Sequence, residues 1–315
     1  MKTLSFTPNW LELSLLCILA GLLFTLLFLY LLCRWIKATY GQGYESFGEI
    51  LHQVNGKTRF MNFGLWNTNN HSEDLRSANI NLVEYVQNFG QLASKKNILD
   101  VGIGYGEQDF YWEKSLPQNT RILGIDISER QIEKIKQRIK HENVDPNRFS
   151  VEVGNAVDLH YQSGEFDCVV SLESAFHYLP RTAFFKESHR VLQDHGHLVV
   201  ADICLLNKDK ARPVLHYLPT LLSAGFMGIP KENLVSIATF KKQLEDAGYE
   251  VDLVDVTTRT YTPFYTYFGK NYRFPRGDWV MTWILQAVLM MMKNLNPFAY
   301  VICVCKKDHR RGRFA

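Results

Sequence analysis

The chain has 315 residues, enough for one large domain with appendages, and its formal net charge of +3 is too small to indicate binding to nucleic acid. Its six cysteines are scattered and include no C-x-x-C pair, so the sequence predicts neither a zinc site nor a disulfide framework, and no other metal site. A basic tail occupies residues 307–315, and we interpret it as a solvated end or a contact with a membrane surface.

The most apolar segment lies near the N-terminus. Residues 13–32 form a run of 20 residues without a charge, rich in Leu and Phe. A helix of about 20 apolar residues spans the hydrocarbon core of a bilayer, whereas a cleaved signal peptide has a shorter apolar region. Arg34 and Lys37 follow the run and only Lys2 precedes it, which favours a cytosolic position for the rest of the chain. The sequence therefore predicts a single-pass membrane protein with its anchor in residues 1–36.

Residues 37–96 join this anchor to the main domain. Their first half is rich in aromatic residues, and two interpretations are open: a linker that packs a few aromatic side chains onto the domain, or a lid over a ligand. We favour the lid, because the density of aromatic residues is high for a flexible linker. Apolar residues at helical spacing then predict a helix over residues 72–89.

From residue 97 onward, apolar strand patterns alternate with helical patterns. Such alternation predicts parallel strands with helices on both faces of the sheet, and ligands of such sheets bind at the carboxyl ends of the strands. The predicted strands are residues 98–101, 121–125, 149–153, 166–172, 197–203, 250–257 and 299–304. The predicted helices among them are residues 108–116, 128–141, 182–192 and 239–247.

Two apolar segments interrupt this alternation. Residues 205–235 carry three prolines among many apolar residues, and we expect an inserted cap over the substrate cleft there. Residues 279–292 are strongly apolar but short for a membrane span, which favours a buried or interfacial helix.

The clearest chemical signal follows the first predicted strand. Gly102, Gly104 and Gly106 stand at alternate positions before a predicted helix, and without a Cβ they allow positive φ and a close approach of the backbone to a ligand. Asp100 ends the strand and can accept hydrogen bonds from that ligand. Asp126 ends the second strand, where an acidic side chain can bind both hydroxyls of a ribose. Two strand-end acids around a glycine loop predict a cofactor that contains adenosine.

These residues resemble the motifs of a known family, the class I S-adenosylmethionine-dependent methyltransferases. The similar stretches are Asp100-Val-Gly-Ile-Gly-Tyr-Gly106, Gly124-Ile-Asp126-Ile-Ser128, Gly154-Asn155-Ala156, Phe166-Asp167-Cys168-Val169-Val170 and Arg190-Val191-Leu192. Within the family, residues 61–66 and 171–178 are similar to the branch of sterol, tocopherol and small-molecule methyltransferases. The resemblance implies a Rossmann-like, doubly wound, mostly parallel seven-stranded sheet in a domain of residues 97–306. It also implies S-adenosyl-L-methionine as the cofactor.

The resemblance implies roles for individual residues as well. The expected cofactor-binding residues are Asp100, Gly102, Gly104, Gly106, Gln108, Asp126, Ile127, Asn155, Ala156 and Ser171, and those expected at the substrate or lid are Tyr44, Asn62, Trp66 and Tyr178. If the acceptor is a hydroxyl, His177 is the best candidate for a general base, because it follows the fourth strand and imidazole titrates near working pH. Glu173 and Asp202 stand at matching strand ends and are candidates to orient the acceptor or the base. The other interpretation of His177 is a packed, hydrogen-bonded residue without a role in the reaction.

Taken together, these patterns predict a membrane-anchored methyltransferase that acts on a small, amphiphilic or lipid-like acceptor. A nicotinamide-dependent oxidoreductase would share the glycine turn and Asp126, but the G-x-G-x-G spacing disfavours it. A non-catalytic, membrane-tethered binding protein with a degenerate fold is the other alternative, and the intact glycines argue against it. The sequence leaves open the identity of the acceptor, the atom that receives the methyl group and the oligomeric state.

Overall fold

The computed structural model describes residues 59–67, 73–206, 220, 224–225, 227–272, 283, 286, 289–290, 292–294 and 296–307. The predicted membrane anchor, Tyr44 and the basic tail after residue 307 lie outside these residues, and so does much of the predicted cap. Within the described part of the chain, no helix is both long and apolar enough to cross a membrane.

Seven strands form one sheet. They are β1 Asn97–Val101, β2 Arg121–Asp126, β3 Phe149–Val153, β4 Phe166–Leu172, β5 Leu192–Leu205, β6 Tyr249–Asp255 and β7 Phe298–Lys307. The spatial order is β3-β2-β1-β4-β5-β7-β6, in which the first five strands are parallel and β7 runs antiparallel to both of its neighbours. The predicted seven-stranded, mostly parallel sheet is therefore confirmed.

Six helices of nine or more residues accompany the sheet in the described residues. They are α1 Leu75–Phe89, α2 Glu107–Ser115, α3 Glu129–His141, α4 Arg181–Val191, α5 Ile237–Asp246 and α6 Tyr261–Asn271. Single 3₁₀ turns occupy Leu92–Ser94, Ala175–His177, Lys231–Asn233 and Thr257–Arg259. Strand order reverses between β1 and β4, so this pair marks the switch point at which ligands of doubly wound sheets bind.

The central strands explain why the sheet forms. β1 and β4 are buried on both faces, since Leu99, Val169 and Val170 have no exposed surface. Parallel strands covered by helices on each side require such continuous apolar runs. The helices contribute one apolar side each, such as Ile132 and Ile135 of α3.

The structure differs from the sequence-based prediction in three elements. β5 extends over residues 192–205: Leu192 pairs with Phe166 of β4 at its start, and β7 pairs with it along nine residues, from His197 to Leu205. β6 ends at Asp255, where a 3₁₀ turn follows. α6 was not predicted, although Tyr261, Phe264, Tyr265 and Phe268 repeat at helical spacing and are buried.

A fully buried ion pair connects the sheet to two helices. Arg181, the first residue of α4, places Nη1 3.1 Å from Oδ2 of Asp202 in β5, and neither side chain is exposed. The guanidinium lies over the Phe240 ring at 4.6 Å, and Nη2 donates to Oε1 of Gln243 in α5 at 3.3 Å. Because each charge has a partner, the pair can stay inside the core.

We expect the Arg181→Met substitution to lower the free energy of unfolding by about 3–5 kcal/mol, because it leaves the Asp202 charge buried without its partner. Urea unfolding of the full chain in detergent measures this difference. The control is Lys242→Ala, which removes an exposed ion pair with Asp246 and should cost about 0.5 kcal/mol or less. A loss for Arg181→Met as small as that of the control would contradict the prediction.

Candidate active site

The carboxyl end of β1 is held by side chains that follow β4. The Val101 carbonyl oxygen accepts a hydrogen bond from Ser174 Oγ at 2.8 Å, and the Tyr178 hydroxyl lies 2.9 Å from the same oxygen. Ser171 Oγ lies 2.8 Å from Ser174 Oγ. The structure thus brings Ser171 and Tyr178, predicted at the cofactor and the substrate, into one hydrogen-bonded network at the switch point.

This network explains the glycine at position 102. Gly102 has φ +77°, and a Cβ there would lie 2.4 Å from the Tyr178 hydroxyl oxygen and 2.7 Å from Ser174 Oγ. Both distances are far below van der Waals contact. The sequence suggested that Gly102 makes room for a ligand, whereas in the structure the space beside it is taken by the protein's own side chains.

The rest of the glycine loop forms a cradle with the end of β2. Gly104 and Gly106 also have positive φ, and Gly104 N donates to Oδ2 of Asp126 at 3.0 Å. Ser128 N donates to Oδ1 of Asp126 at 2.9 Å. Burial raises the pKa of Asp126, and these N–H groups oppose the shift. A carboxylate has about four lone-pair sites, so Asp126 can still accept from two ribose hydroxyls.

An apolar surface lies next to this carboxylate. Ile127 is 74% exposed, and Val153, which is paired with Asp126 in the sheet, is 48% exposed. Large apolar side chains exposed at strand ends are suited to contact with a flat heterocycle. Val153 is not among the residues expected from the sequence, although its position at the end of a predicted strand was a usable signal.

The predicted adenine loop follows β3. Asn155 is exposed, and its Oδ1 accepts a hydrogen bond from Val157 N at 3.1 Å, so its side chain stabilises its own turn. Ala156 is buried and packs in the core. This geometry leaves the Asn155 amide nitrogen and the backbone of the turn as the groups that can reach a ligand edge.

Asp100 carries the other acidic group of the glycine motif. Its side chain is completely buried, Gln108 Nε2 donates to Oδ2 at 3.1 Å, and the Asp109 carboxyl and the Val101 N–H lie close enough to stabilise its charge. Burial raises the pKa of Asp100 to about 7, and the Gln108 hydrogen bond opposes the shift. A buried carboxylate with lone pairs left to accept from a ligand, a second carboxylate held by the glycine loop and an exposed apolar pair together fit a ribonucleoside with a cationic tail.

His177 lies at the end of the 3₁₀ turn after β4. Its Nδ1 is 3.0 Å from the Gly228 carbonyl oxygen, which can only accept, so Nδ1 carries the proton and Nε2 carries the lone pair. Burial lowers the pKa of the imidazole, which favours the neutral form. Asn233 Nδ2 donates to the carbonyl oxygens of Phe176 and Tyr178, at 3.0 and 2.7 Å, and so holds both sides of the turn.

Asp202 and Glu173, the other two predicted catalytic residues, are occupied by contacts within the protein. Asp202 is fully buried against Arg181, and burial raises its pKa to about 6. The N–H group of Phe176 stabilises its charged form, so Asp202 also supports the turn that carries His177. Asp202 is therefore not positioned to contact an acceptor directly.

Glu173 fastens a strap, which we define as residues 59–67. Its Oε1 accepts from Phe63 N at 2.9 Å and from the Tyr300 hydroxyl at 2.6 Å, and burial raises its pKa to about 8. At the other end of the strap, Arg59 N donates to Oε1 of Glu107, the first residue of α2, at 3.2 Å. The strap therefore runs between the start of α2 and the end of β4.

The two described residues predicted at the lid lie inside this strap and are buried. Asn62 Oδ1 accepts from Gly64 N at 3.0 Å and from Asn79 Nδ2 at 2.6 Å. Trp66 Nε1 donates to the Phe63 carbonyl oxygen at 3.0 Å, and its ring packs at 5.3 Å from that of Tyr267. Both side chains anchor the strap to the domain, whereas Tyr44 lies outside the described residues.

We expect the Glu173→Gln substitution to flatten the pH dependence of stability. The folded carboxyl binds its proton up to about pH 8 and the unfolded one only to its usual value near 4.5, so stability falls as pH rises through this interval. Gln keeps an acceptor for Phe63 and Tyr300 but does not titrate, which removes a slope of up to about 1.4 kcal/mol per pH unit. Urea unfolding between about pH 5 and 8 measures it.

The matched control for this prediction is Glu133→Gln, which replaces an exposed carboxylate on α3 and should leave the slope unchanged. If Glu173→Gln has the same slope as the native chain, Glu173 titrates normally in the folded state and the prediction is wrong.

Comparisons with known proteins agree with this geometry. Residues 98–196 match a family model described as a methyltransferase domain. The chain is 34% identical over 230 residues to the erythromycin 3''-O-methyltransferase of Saccharopolyspora erythraea, covering 71% of this chain and 73% of the relative. It is 26% identical over 226 residues to the 27-O-demethylrifamycin SV methyltransferase of Amycolatopsis mediterranei, covering 72% and 79%.

Solved structures show the same fold. A geranyl diphosphate methyltransferase in complex with S-adenosylmethionine superposes with a TM-score of 0.60 at 16% sequence identity, covering 81% of this chain and 94% of that chain. The match to the family model, the first relative's identity and coverage, and the sheet order agree. The chain therefore belongs to the class I S-adenosylmethionine-dependent methyltransferases, and its cofactor is S-adenosyl-L-methionine.

Proposed function

We propose that this chain is a membrane-anchored methyltransferase that methylates a hydroxyl oxygen of a small, amphiphilic or lipid-like acceptor. The observation that carries the proposal is His177, held beside the switch point in the tautomer that has its lone pair on Nε2. The two relatives with O-methylation of natural products in their names support an oxygen acceptor. The apolar segment at residues 13–32 supports the anchor and, with it, an acceptor that partitions into membranes.

The residues that we assign to the cofactor divide by the part they would hold. Asp126 accepts from the ribose hydroxyls, and Ile127 with Val153 packs on the adenine. Residues 154–156 lie at the adenine edge. The glycine loop, Ser171 and the Asp100–Gln108 pair hold the methionine part.

The cofactor supplies a methyl group on a sulfonium, so the protein needs no further activation of that group. The remaining barrier is the alignment of the acceptor oxygen and the removal of its proton. Alignment alone can supply several kcal/mol, up to about 7–11 in well-oriented systems. His177 Nε2 takes the proton from the acceptor hydroxyl, and the Gly228 carbonyl oxygen, which accepts from Nδ1–H, keeps the ring oriented as it becomes cationic.

Three residues position this base. Asp202 and Asn233 hold the backbone of the turn on both sides of His177, and Arg181 binds both of them. We assign Asp202 to positioning, because its carboxylate is buried behind the turn. Glu173, whose pKa lies near 8, is protonated at neutral pH, and we assign it to the strap contact.

The placement of the chain follows from its N-terminal charges. Arg34 and Lys37 favour a cytosolic domain behind a single membrane-spanning helix in residues 1–36. We propose the domain boundaries that the sequence indicated: residues 37–96 as lid and linker, residues 97–306 as the catalytic domain, residues 205–235 as its cap and residues 307–315 as a basic tail.

The experiment that tests the function uses membranes from cells that express the full chain. After an alkaline carbonate wash, these membranes should transfer labelled methyl from S-adenosylmethionine to an acceptor that partitions into organic solvent. Nuclear magnetic resonance of the product should show a methyl ether. The Asp126→Ala variant, which removes the ribose contact, is the inactive control.

Other outcomes would contradict separate parts of the proposal. Release of the chain by carbonate would argue against the anchor. Labelled products confined to the aqueous phase would argue against an amphiphilic acceptor, and an N-methyl product would argue against a hydroxyl acceptor. Cofactor binding without transfer to any acceptor would favour the binding protein with a degenerate fold.

We expect His177→Ala to lower kcat by about 100-fold or more with the acceptor found in that experiment, because a general base typically contributes about 10²–10⁴-fold. The dissociation constant for S-adenosylmethionine should stay unchanged. In the native enzyme saturated with S-adenosylmethionine, kcat/KM for the acceptor should fall with decreasing pH only below the usual imidazole pKa of 6.5, because burial lowers the pKa of His177.

The control for this prediction is His141→Ala, an exposed histidine at the end of α3, which should retain full activity. A His177→Ala enzyme with native kcat would identify His177 as a packed residue without a role in the reaction.

A further inference from the structure

A second carboxyl group lies beside Asp100 in the core of the cofactor loop. Asp109 is the third residue of α2, and its side chain has no exposed surface. Among the described residues no other side chain donates to its carboxyl oxygens, and the groups close enough to act on it are the Asp100 carboxyl and its own backbone N–H. Asp109 is not among the site residues expected from the sequence.

Two carboxylates in contact inside a protein cannot both be ionised. Asp100 has a donor in Gln108, whereas Asp109 has none from another side chain, so the negative charge is better placed on Asp100. Burial, followed by the Asp100 charge, raises the pKa of Asp109 well above its usual value. The pair therefore shares one proton, which resides on Asp109.

The surrounding charges do not change this assignment. Asp126 from β2 is the other charge that acts on the pair, and it also disfavours a second ionised carboxylate. The positive charge of Arg138 in α3 does not pair with either aspartate, because its Nη1 lies 2.9 Å from Oε1 of Glu107. The pair thus keeps a net charge of −1.

We propose that Asp109 is a positioning residue for the cofactor: as a neutral carboxylic acid it donates an O–H hydrogen bond to Asp100 and so holds Asp100 as a single, oriented carboxylate for the cofactor's cationic amino group. This inference rests on the proposed assignment of Asp100. A carboxylate can accept from Gln108, from Asp109 and from an ammonium group at the same time, because it has about four lone-pair sites.

Two variants and two ligands test the inference in the full chain in detergent. Asp109→Asn keeps a donor toward Asp100, and Asp109→Leu has similar volume but no donor. S-adenosylhomocysteine carries the amino group, whereas 5′-methylthioadenosine has the adenosine part without it. Calorimetric titration measures both affinities.

We expect Asp109→Leu to weaken the affinity for S-adenosylhomocysteine by about tenfold or more, because a hydrogen bond to a charged group contributes this much. The affinity for 5′-methylthioadenosine should stay within about twofold of the native value. Asp109→Asn should restore S-adenosylhomocysteine binding to within about threefold of native. Native affinity for S-adenosylhomocysteine should fall as pH drops below about 7, because Asp100 then takes up a second proton, whereas 5′-methylthioadenosine should show a smaller fall.

An infrared measurement supplies a readout that does not depend on binding and covers the case in which Asp109→Leu fails to fold. The native chain without cofactor should show the carbonyl stretch of a buried, protonated carboxylic acid that is missing from Asp109→Asn at pH 7. An unchanged spectrum would overturn the inference.

Two binding results would also overturn the inference. One is an equal loss of S-adenosylhomocysteine affinity in Asp109→Asn and Asp109→Leu, and the other is an equal loss of affinity for both ligands in Asp109→Leu. Failure of the native chain to bind either ligand would instead contradict the proposed cofactor site, so the two failures are distinguishable.

Discussion

Hydrogen bonds to the Val101 carbonyl oxygen tie the carboxyl ends of β1 and β4 together, and the geometry of the whole site depends on them. Ser174 and Tyr178 make these contacts from the segment that follows β4. The two side chains approach the backbone so closely that only a glycine fits at position 102. Gly102 has a positive φ, so the glycine loop begins with a residue in the left-handed region. The cofactor loop and the turn that carries His177 are thereby held in one fixed relation, which is what an in-line transfer requires.

Burial raises the pKa of five carboxyl groups of this region, and the partners of each group decide the consequence; the five are Asp100, Asp109, Asp126, Glu173 and Asp202. Burial alone would raise every pKa, because low polarity disfavours the charged form. Asp202 stays paired because Arg181 supplies a full positive charge. Glu173 has only neutral donors, from Phe63 and Tyr300, and so retains its proton near neutral pH. Asp109 lies beside Asp100, whose donor is Gln108. Carboxyl groups of similar appearance in the sequence therefore divide into a buried ion pair, a contact to the strap and the groups that we propose for the cofactor.

The strap and the described part of the cap segment both contact the region that follows β4. The strap is fastened at Glu107 and Glu173, so it bridges the start of α2 and the end of β4. The cap segment contributes the Gly228 carbonyl oxygen and the Asn233 side chain to the turn of His177. The strap makes these contacts to carboxyl groups, and the cap segment makes them to the His177 imidazole and to two backbone carbonyl oxygens.

The amino-acid sequence by itself determined the class of fold, the family and the two strand-end acids, because apolar runs and glycine spacing are local properties of the chain. Asp100 and Asp126 lie at the strand ends where these patterns predicted them. Helix α6 shows the limit, since its aromatic repeat at helical spacing was present but was interpreted only as a tyrosine-rich segment. What only the tertiary structure decided is the partner of each polar group. Glu173 binds Phe63 and Tyr300, which are 110 and 127 residues away, and Asp202 binds Arg181, 21 residues away. A carboxyl group's charge and role depend on burial and on donors brought from distant elements, and no local pattern contains either quantity.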